Sequence, residues 1–362
     1  VYPAVYELKL IDTLEKWEEL SADWNDLLAE SRSDTVFLTW EWLSSWAECY
    51  LTADRSLFVI AVYNNDKLVG IAPWYLHHGM YAGFSFRTIR FLGTPEAGSD
   101  YLDVFSKSGK EREVAYALYD FLNKKGAPSW DSLFLQDMPS HSLFYLHFHN
   151  KIEEAGKFSE TTPGAFCPIV SLPESGEEYF SQISSNRRQQ FNRHRKLFKT
   201  DGSAELHTRS NEQAALADFF SIYRKKNCDN NDMLNVLLNK FSEKSGGRKW
   251  VEVDLLSLNG KSAAGLVHLR YNDELSMYLV GVDREFNTKI SVGNILVGLC
   301  IDRAISQGVR TYDFLKGDEP YKFHWATGGR RSLNLFFPRR KISSMFVVVN
   351  KFLRLTAKAL LR

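Results

Sequence analysis

Three runs decide how this chain is read: Leu275-Ser276-Met277-Tyr278-Leu279-Val280-Gly281-Val282, Ser291-Val292-Gly293-Asn294-Ile295 and Arg310-Thr311-Tyr312-Asp313-Phe314-Leu315-Lys316-Gly317-Asp318-Glu319-Pro320-Tyr321-Lys322. The first is rich in β-formers and predicts a strand. The second is a small-residue turn that opens a helix over Ile295–Gln307, and the third begins with a strand, Arg310–Leu315. Strand, turn, helix, strand is an order that exposes backbone N–H groups to an anion, because the first-turn donors and the positive end of the helix dipole point the same way. Ser291, Val292, Gly293, Asn294 and Ile295 are therefore candidate ligands of a cofactor phosphate. The plainer alternative is a helix start capped by Ser291, worth about 1 kcal/mol. The polar end of the second strand would place reactive side chains beside that anion.

Working outward, the 362 residues favour two domains of roughly 150–200 residues over one. Hydrophobic residues at 44% and charged residues at 25% are those of an ordinary globular protein. A net charge of +1 argues against general nucleic-acid binding. Nine Trp and an aromatic content of 14% point first to a core rich in flat side chains and second to a sugar-binding surface. Cys49, Cys167, Cys228 and Cys300 form no CxxC pair, so neither a metal site nor a disulfide framework is expected, and a reducing cytoplasm fits. His77-His78 and His141, His147 and His149 share no ligand spacing with a carboxylate or thiol, which also gives an expectation of no metal. No window is long and apolar enough to span a bilayer. The sequence opens at Val1 without a methionine or a secretion-type leader, and a few preceding residues are expected.

Along the chain we expect a strand at Val5–Leu10 and an amphipathic helix through Leu14–Glu30. A helix capped by Thr39 follows, with Trp40, Trp42 and Trp46 read as core. Leu57–Tyr63 and Leu68–Tyr75 form a hairpin around Asn64-Asn65-Asp66-Lys67. Strands near Thr88–Leu92, Tyr101–Phe105 and Ser132–Gln136 alternate with helices at Lys110–Lys124 and Ser142–Ala155. Phe158–Pro173 holds Pro163, Gly164, Pro168 and Pro173 and is expected to be the loop between two domains, 1–165 and 166–362. The second half repeats the order of the first: a helix at Gly176–Phe198, a strand at Ala204–Thr208, helices at Gln213–Asn227 and Met233–Lys244, then a hairpin of Lys249–Leu258 and Ser262–Tyr271 around Asn259-Gly260-Lys261. Leu68-Val69-Gly70-Ile71-Ala72 matches Ala263-Ala264-Gly265-Leu266-Val267, each on the second arm of its hairpin. The expected fold is a duplicated α/β unit.

The hairpin arm with its central glycine, the strand and the turn before a helix together resemble the GNAT-type acyl-CoA N-acyltransferase fold. Two copies in one chain are similar to the tandem family that includes the Fem peptidyltransferases. The likeness is closest to CelD/BcsL-type proteins of cellulose and exopolysaccharide biosynthesis, and is carried by Phe37-Leu38-Thr39-Trp40-Glu41-Trp42, Gly70-Ile71-Ala72-Pro73, Arg187–Arg195 and Tyr312 to Lys322. The family turn reads Gln/Arg-x-x-Gly-x-Gly/Ala, whereas Lys289-Ile290-Ser291-Val292-Gly293-Asn294 keeps one glycine. The resemblance implies two tandem GNAT-like domains, each a mixed, mostly antiparallel sheet flanked by helices, with the acyl-CoA turn in the second only and the first shaping the acceptor groove. It implies acetyl-CoA, or another acyl-CoA, as co-substrate, and a nucleotide- or lipid-linked amino-sugar precursor of an exopolysaccharide as acceptor. The alternatives are a Fem-like aminoacyl-tRNA-dependent peptidyltransferase and a non-catalytic scaffold of a synthase complex.

Direct acyl transfer to an amine needs a base for the amine, a donor for the thioester oxygen and an acid for the thiolate. Glu319 or Asp318 is the candidate base, Tyr321 the candidate acid, and an N–H of Met277–Val282 the candidate oxyanion donor. The plain alternative is a Gly-Asp-Glu-Pro turn with Lys322 paired to Glu319. Asn186–Lys196 contains no acid; Phe180, Ile183, Arg187, Phe191, His194 and Phe198 fall at helical spacing, which sets Arg187 in an apolar stripe where it needs a carboxylate or a phosphate. Arg188, Asn192 and Arg195 form the adjacent row, and with Arg187, Asp313, Lys322 and Trp325 they are the candidate substrate contacts. Charge runs of this kind are as often solvated helix faces. The basic, acid-free tail Arg339–Arg362 has an apolar side and is expected as a terminal helix, with contact to the inner face of a membrane as the alternative.

Overall fold

A computed structural model describes residues 6–81, 84–201, 204–226, 232–283 and 291–339. The chain divides into two compact units, Val1–Gly164 with Ser332–Arg362, and Ala165–Arg331. Each has mixed sheets flanked by helices, the expected fold class. The expected tail helix lies outside the described residues, beyond Arg339.

The first unit begins with Tyr6–Ile11, which pairs antiparallel with Val59–Asn64; that strand pairs with Lys67–Ala72, and the latter with Phe105–Ser106. Asn65 and Asp66 both take positive φ, 48° and 59°, the backbone of a two-residue hairpin turn that matches strand twist. A second set of strands runs Arg55–Leu57, Trp74–Tyr81, Phe84–Phe91, Ser132–Pro139 and residues 332–338. Thr39 caps Trp40–Tyr50 by accepting the Trp42 N–H at 3.3 Å. Trp42 and Trp46 are fully buried, and Trp17, Trp24 and Trp40 meet edge to face. The tryptophans build core. Two expectations change here. Leu14–Glu30 is two helices, Leu14–Glu18 and Ser21–Ala29. Tyr101–Phe105 is mostly irregular, because Tyr101 turns at φ 57° and the Asp103 carboxylate binds the Val104 N–H at 2.9 Å, which withholds that donor from a ladder.

In the second unit four antiparallel strands follow one another: Ala204–Ser210, Val251–Leu258, Lys261–Tyr271 and Glu274–Val282. Asn259 and Gly260 make the predicted hairpin turn, with φ of 52° and 74°. Gly265 lies under the helix Gln213–Lys226, where a Cβ would come within 2.9 Å of the Phe219 ring. Thr311–Asp313 is parallel to Glu274–Ser276 on one side and antiparallel to Ile169–Ser171 on the other. The helix Val292–Ser306 covers this sheet, burying Val292, Leu296, Cys300 and Ile301 against Leu266, Leu275, Met277 and Tyr312.

The chain passes between units inside strands. Glu160–Ser171 is a strand where Pro163, Gly164 and Pro168 predict a loop. Gly164 is there for close approach: a Cβ would lie 2.2 Å from Ser332 Oγ. The predicted helix Gly176–Phe198 is also interrupted, because Ile183 is extended (ψ 160°) between Gly176–Gln182 and Ser185–Asp201.

Candidate functional site

The parallel pairing between Glu274–Val282 and Thr311–Asp313 lasts three residues and stops at Ser276–Asp313. The cause is local. The Phe314 N–H turns to the opposite neighbour and donates to Pro168 O at 2.9 Å, and Leu315 takes a left-handed backbone, φ 54°. The Asp313 carboxylate fixes this turn by accepting the Leu315 N–H at 2.6 Å, while its other oxygen accepts from Arg330 at 3.1 Å. Asp313 is fully buried, so among the candidate substrate contacts it acts as a brace for the turn. Glu274–Val282 runs six residues beyond that pairing. It also carries a bulge, since Val267 faces Leu279 while His268 faces Met277.

The extension leads to the start of the helix Val292–Ser306. Gly293 lies against Val282, where a Cβ would be 3.0 Å from the valine methyl. Ser291 occupies the cap position without a side-chain cap bond: its hydroxyl accepts from Asn294 Nδ2 at 3.0 Å. Ile295 closes the first turn by donating to Ser291 O at 3.1 Å and is buried. The first-turn N–H groups of Val292, Gly293 and Asn294 thus stand at a partly exposed helix end, with the positive end of the dipole.

Past the left-handed turn, residues 316–325 fold back on themselves. Glu319 is the residue before the short helix Pro320–Phe323, and its Oε2 is 3.0 Å from Lys322 Nζ. Lys322 is buried and also donates to Lys316 O at 2.8 Å. Gly317, at φ 139°, makes this possible, because a Cβ would fall 2.2 Å from Glu319 Oε2 and 2.5 Å from Lys322 Nζ. Asp318 and Glu319 are exposed. Tyr321 is partly buried; burial first, and then the charge of Glu319, push its phenol well above the ordinary value.

The arginine helix contributes one side chain to this region. Arg187 Nη2 donates to Nδ1 of His324 at 2.6 Å, so its partner is an imidazole rather than the carboxylate or phosphate that the stripe predicts. Burial and then Arg187 hold His324 below the usual imidazole range, consistent with a neutral ring whose Nδ1 accepts. Arg188 reaches back to Phe180 O at 3.3 Å, Asn192 is exposed, and Arg195 pairs with Asp302 at 2.9 Å. The predicted row is therefore divided among different partners. Trp325 is a core residue, 1% exposed, set edge-on to Phe191 over Gly298. Its carbonyl accepts the Tyr179 hydroxyl at 2.8 Å.

Beneath the site lies a buried polar chain that pattern reading passed over. Tyr312 Oη is 2.8 Å from His268 Nε2, His268 Nδ1 is 2.9 Å from Asp254 Oδ2, and Arg303 Nη2 donates to that same oxygen at 2.8 Å. Thr208 donates to Asp254 Oδ1 at 2.5 Å, and Arg303 also holds Glu252 at 2.8 Å. Burial raises the Asp254 pKa, but hydrogen bonding and charge from His268, together with Arg303, outweigh it and leave the carboxyl below its ordinary value. With Cys300, Asp254 and His268 bring three ligand-type atoms within 4.8 Å of one another. Both Asp254 oxygens already have donors, and a cation would have to displace the Arg303 guanidinium. Asp254, His268 and Tyr312 come from three strands, each an unremarkable polar residue in an apolar run, so no spacing rule unites them.

Residues 185–323 match the sequence profile of a family described as the acetyltransferase (GNAT) domain, which supports an acyltransferase. No curated protein has a significantly similar sequence. Among solved structures the chain is similar to FemX, with TM-score 0.60, 11% identity, and coverage of 94% of this chain and 99% of that one. It is also similar to a conserved protein of unknown function from Bacteroides thetaiotaomicron VPI-5482, with TM-score 0.54, 12% identity, and coverage of 92% and 100%. A tandem GNAT protein from the clavulanic acid biosynthesis pathway aligns at TM-score 0.48 and 12% identity over 92% and 99%. At these identities the likeness is one of fold.

Proposed function

We propose that the second unit transfers an acyl group, acetyl in the simplest case, from acyl-CoA to the amine of a nucleotide- or lipid-linked amino-sugar precursor of an exopolysaccharide, within a ternary complex. The observation that carries the donor half is the sheet opening at Ser276–Asp313, which lies on a strand leading to the start of the Val292 helix. An extended amide-bearing chain such as the CoA arm can add to a strand edge, and its diphosphate suits first-turn N–H donors. Ser291, Val292, Gly293, Asn294 and Ile295 are the proposed diphosphate contacts. The match to the acetyltransferase domain spans these residues and the 316–323 loop.

In this reading an N–H of Met277–Val282 receives the thioester oxygen as negative charge develops. Glu319, exposed and held 3.0 Å from Lys322, takes the amine proton, with Asp318 as the neighbouring carboxylate. Tyr321 stays protonated through the physiological range, so it steadies the departing thiolate by donating a hydrogen bond; complete proton transfer from so weak an acid would run uphill. On the acceptor side Arg187 remains the proposed contact from the arginine helix, beside Lys322. Isothermal titration of the whole chain with acetyl-CoA tests the donor half: saturable binding is expected, and none at millimolar concentration removes it.

The second reading, a Fem-like aminoacyl-tRNA-dependent transferase, shares the fold seen in FemX. A net charge of +1 weighs against the broad basic surface that a tRNA needs. A role at the cytoplasmic face of a membrane fits the polysaccharide reading; no helix among the described residues is long and apolar enough to cross one.

A further inference from the structure

The sheet of the first unit carries an arginine, Arg90, that forms no ion pair with a carboxylate among the described residues. Arg90 lies on Phe84–Phe91 opposite Tyr75, with His77 opposite Thr88 and Arg55 opposite His77. Because strand residues alternate between faces, Arg90, Tyr75, His77 and Arg55 share one side of this sheet. The arginines around Arg90 have acids: Arg55 binds Glu96, and Arg87, on the same strand, meets Asp131 at 3.5 Å, while the His77 ring sits 3.4 Å from Asp54. No carboxylate among the described residues lies within ion-pair distance of Arg90. Its guanidinium stacks 5.6 Å from the centre of the Phe134 ring, and its Nε is buried without an acceptor. The residue as a whole is only partly buried.

An arginine partly withdrawn from water without a counter-charge is costly, and a ring beneath it fixes the plane of its fork. The two ring groups beside it, Tyr75 and His77, add no negative charge. The Tyr75 hydroxyl donates to Thr94 O at 3.2 Å; burial pushes the phenol up, and the charges of Arg90 and then Arg55, with a hydrogen bond from Arg90, oppose that rise. Burial and then Arg90 hold His77 below the usual imidazole range, leaving a neutral ring next to the guanidinium.

We propose that Arg90 anchors a phosphate-binding site on the sheet of the first unit, and that its ligand is a phosphodiester or diphosphate. A phosphodiester carries one negative charge near neutral pH, enough to balance Arg90, a diphosphate carries two or more, and the paired oxygens of either suit the guanidinium fork. A soluble nucleotide diphosphate and a lipid headgroup share this chemistry. The site stands apart from the acyltransferase reading and survives if that reading fails.

The test is calorimetric titration of the whole chain with uridine diphosphate and with inorganic pyrophosphate, in saturating coenzyme A so that the Val292 helix end is occupied if it binds at all. Arg90→Gln is expected to weaken binding by about 10- to 100-fold, and Arg90→Lys, which keeps the charge but loses the fork, by less. Arg87→Gln is the control and should leave binding unchanged. Should Arg90→Gln fail to fold, the lysine variant still reads the fork. Arg90-dependent binding to phosphatidylcholine vesicles carrying phosphatidic acid, without binding to uridine diphosphate, assigns the phosphate to a lipid headgroup. Equal affinity in wild type and both Arg90 variants overturns the proposal, as does acetate competing as well as pyrophosphate. If acetyl-CoA does not bind while Arg90-dependent pyrophosphate binding persists, the donor reading fails and this one stands.

Discussion

Asp103 shows how much one residue can hold. Its carboxyl is buried among Ser142 Oγ at 2.8 Å, Ser33 Oγ at 2.9 Å and the Val104 N–H, tying three separate loops of the first unit. Burial dominates these donors and raises its pKa from 3.8 to about 7. Between those values the folded chain keeps a proton that the unfolded chain has released. Stability should therefore fall as pH rises through that window and level off above it, by about 4 kcal/mol if the whole shift is expressed. Asp103→Asn keeps acceptors for Ser142 and Val104 but cannot titrate, so denaturant melts from pH 4 to 8 should be flatter for the variant; parallel profiles would exclude this account. The proposed base and acid make a second residue-scale prediction. Glu319→Gln should lower kcat by about 100-fold or more with little change in the acyl-CoA KM, whereas Tyr321→Phe, losing one hydrogen bond to the thiolate, should cost about tenfold. A Glu319→Gln variant with full transferase activity would return that carboxylate to the role of surface partner for Lys322. Gly317→Ala should disturb both, since its Cβ would fall on Glu319 and Lys322 together.

Elements were legible where local chemistry alone decided them. Asn65-Asp66 and Asn259-Gly260 are residues that accept positive φ, and both hairpins formed at those positions. Thr39 announced its helix through its hydroxyl. Glycine and proline misled where neighbours decided: Gly164, with Pro163 and Pro168, reads as a loop but permits the close approach of Ser332 within a strand. Ser291 looked like a cap and is not one, because Asn294 holds its hydroxyl. The Val292–Ser306 helix offers the sharpest test at this scale. Gly298 sits in its middle, where alanine would ordinarily gain about 1 kcal/mol of helix propensity. Here a Cβ would lie 2.5 Å from the Phe191 ring and 2.8 Å from Trp325. Overpacking should win, so that Gly298→Ala destabilises by about 1–3 kcal/mol and shifts Trp325, whose carbonyl holds Tyr179. A more stable variant in urea titrations would show that the two rings can yield, and that the helix does not depend on this contact.

At the scale of the whole molecule, length favoured two domains and the order of elements gave an α/β class, but neither gave the route of the chain. The second unit is one continuous stretch, whereas the first collects Ser332 onward, and nothing in a linear pattern marks the strand at Gly328–Pro338 as returning to Ser132–Pro139. The pairing is set by Leu333, Leu335 and Phe337 meeting the buried side chains of Leu133, Leu135 and Met138, a match visible only once both strands are in place. Net charge, in contrast, is read directly and separates the two transferase readings. A chain of net charge +1 must find any tRNA site in a local cluster, and the most basic helix, Ser185–Asp201, already commits Arg187 to His324 and Arg195 to Asp302. Neutralising several phosphates would make the logarithm of affinity fall with that of salt by about 0.7–0.9 per contact. We therefore expect no measurable tRNA binding near physiological salt, and acetyl-CoA binding that changes little across the same range because backbone amides supply most of its diphosphate contacts. Filter binding with total tRNA and calorimetry with acetyl-CoA, each run across a salt series, decide it. Tight tRNA binding with a steep salt slope, alongside no acetyl-CoA binding, would move this protein to the aminoacyl-transfer reading and leave the opening at Ser276–Asp313 to serve a different acyl donor.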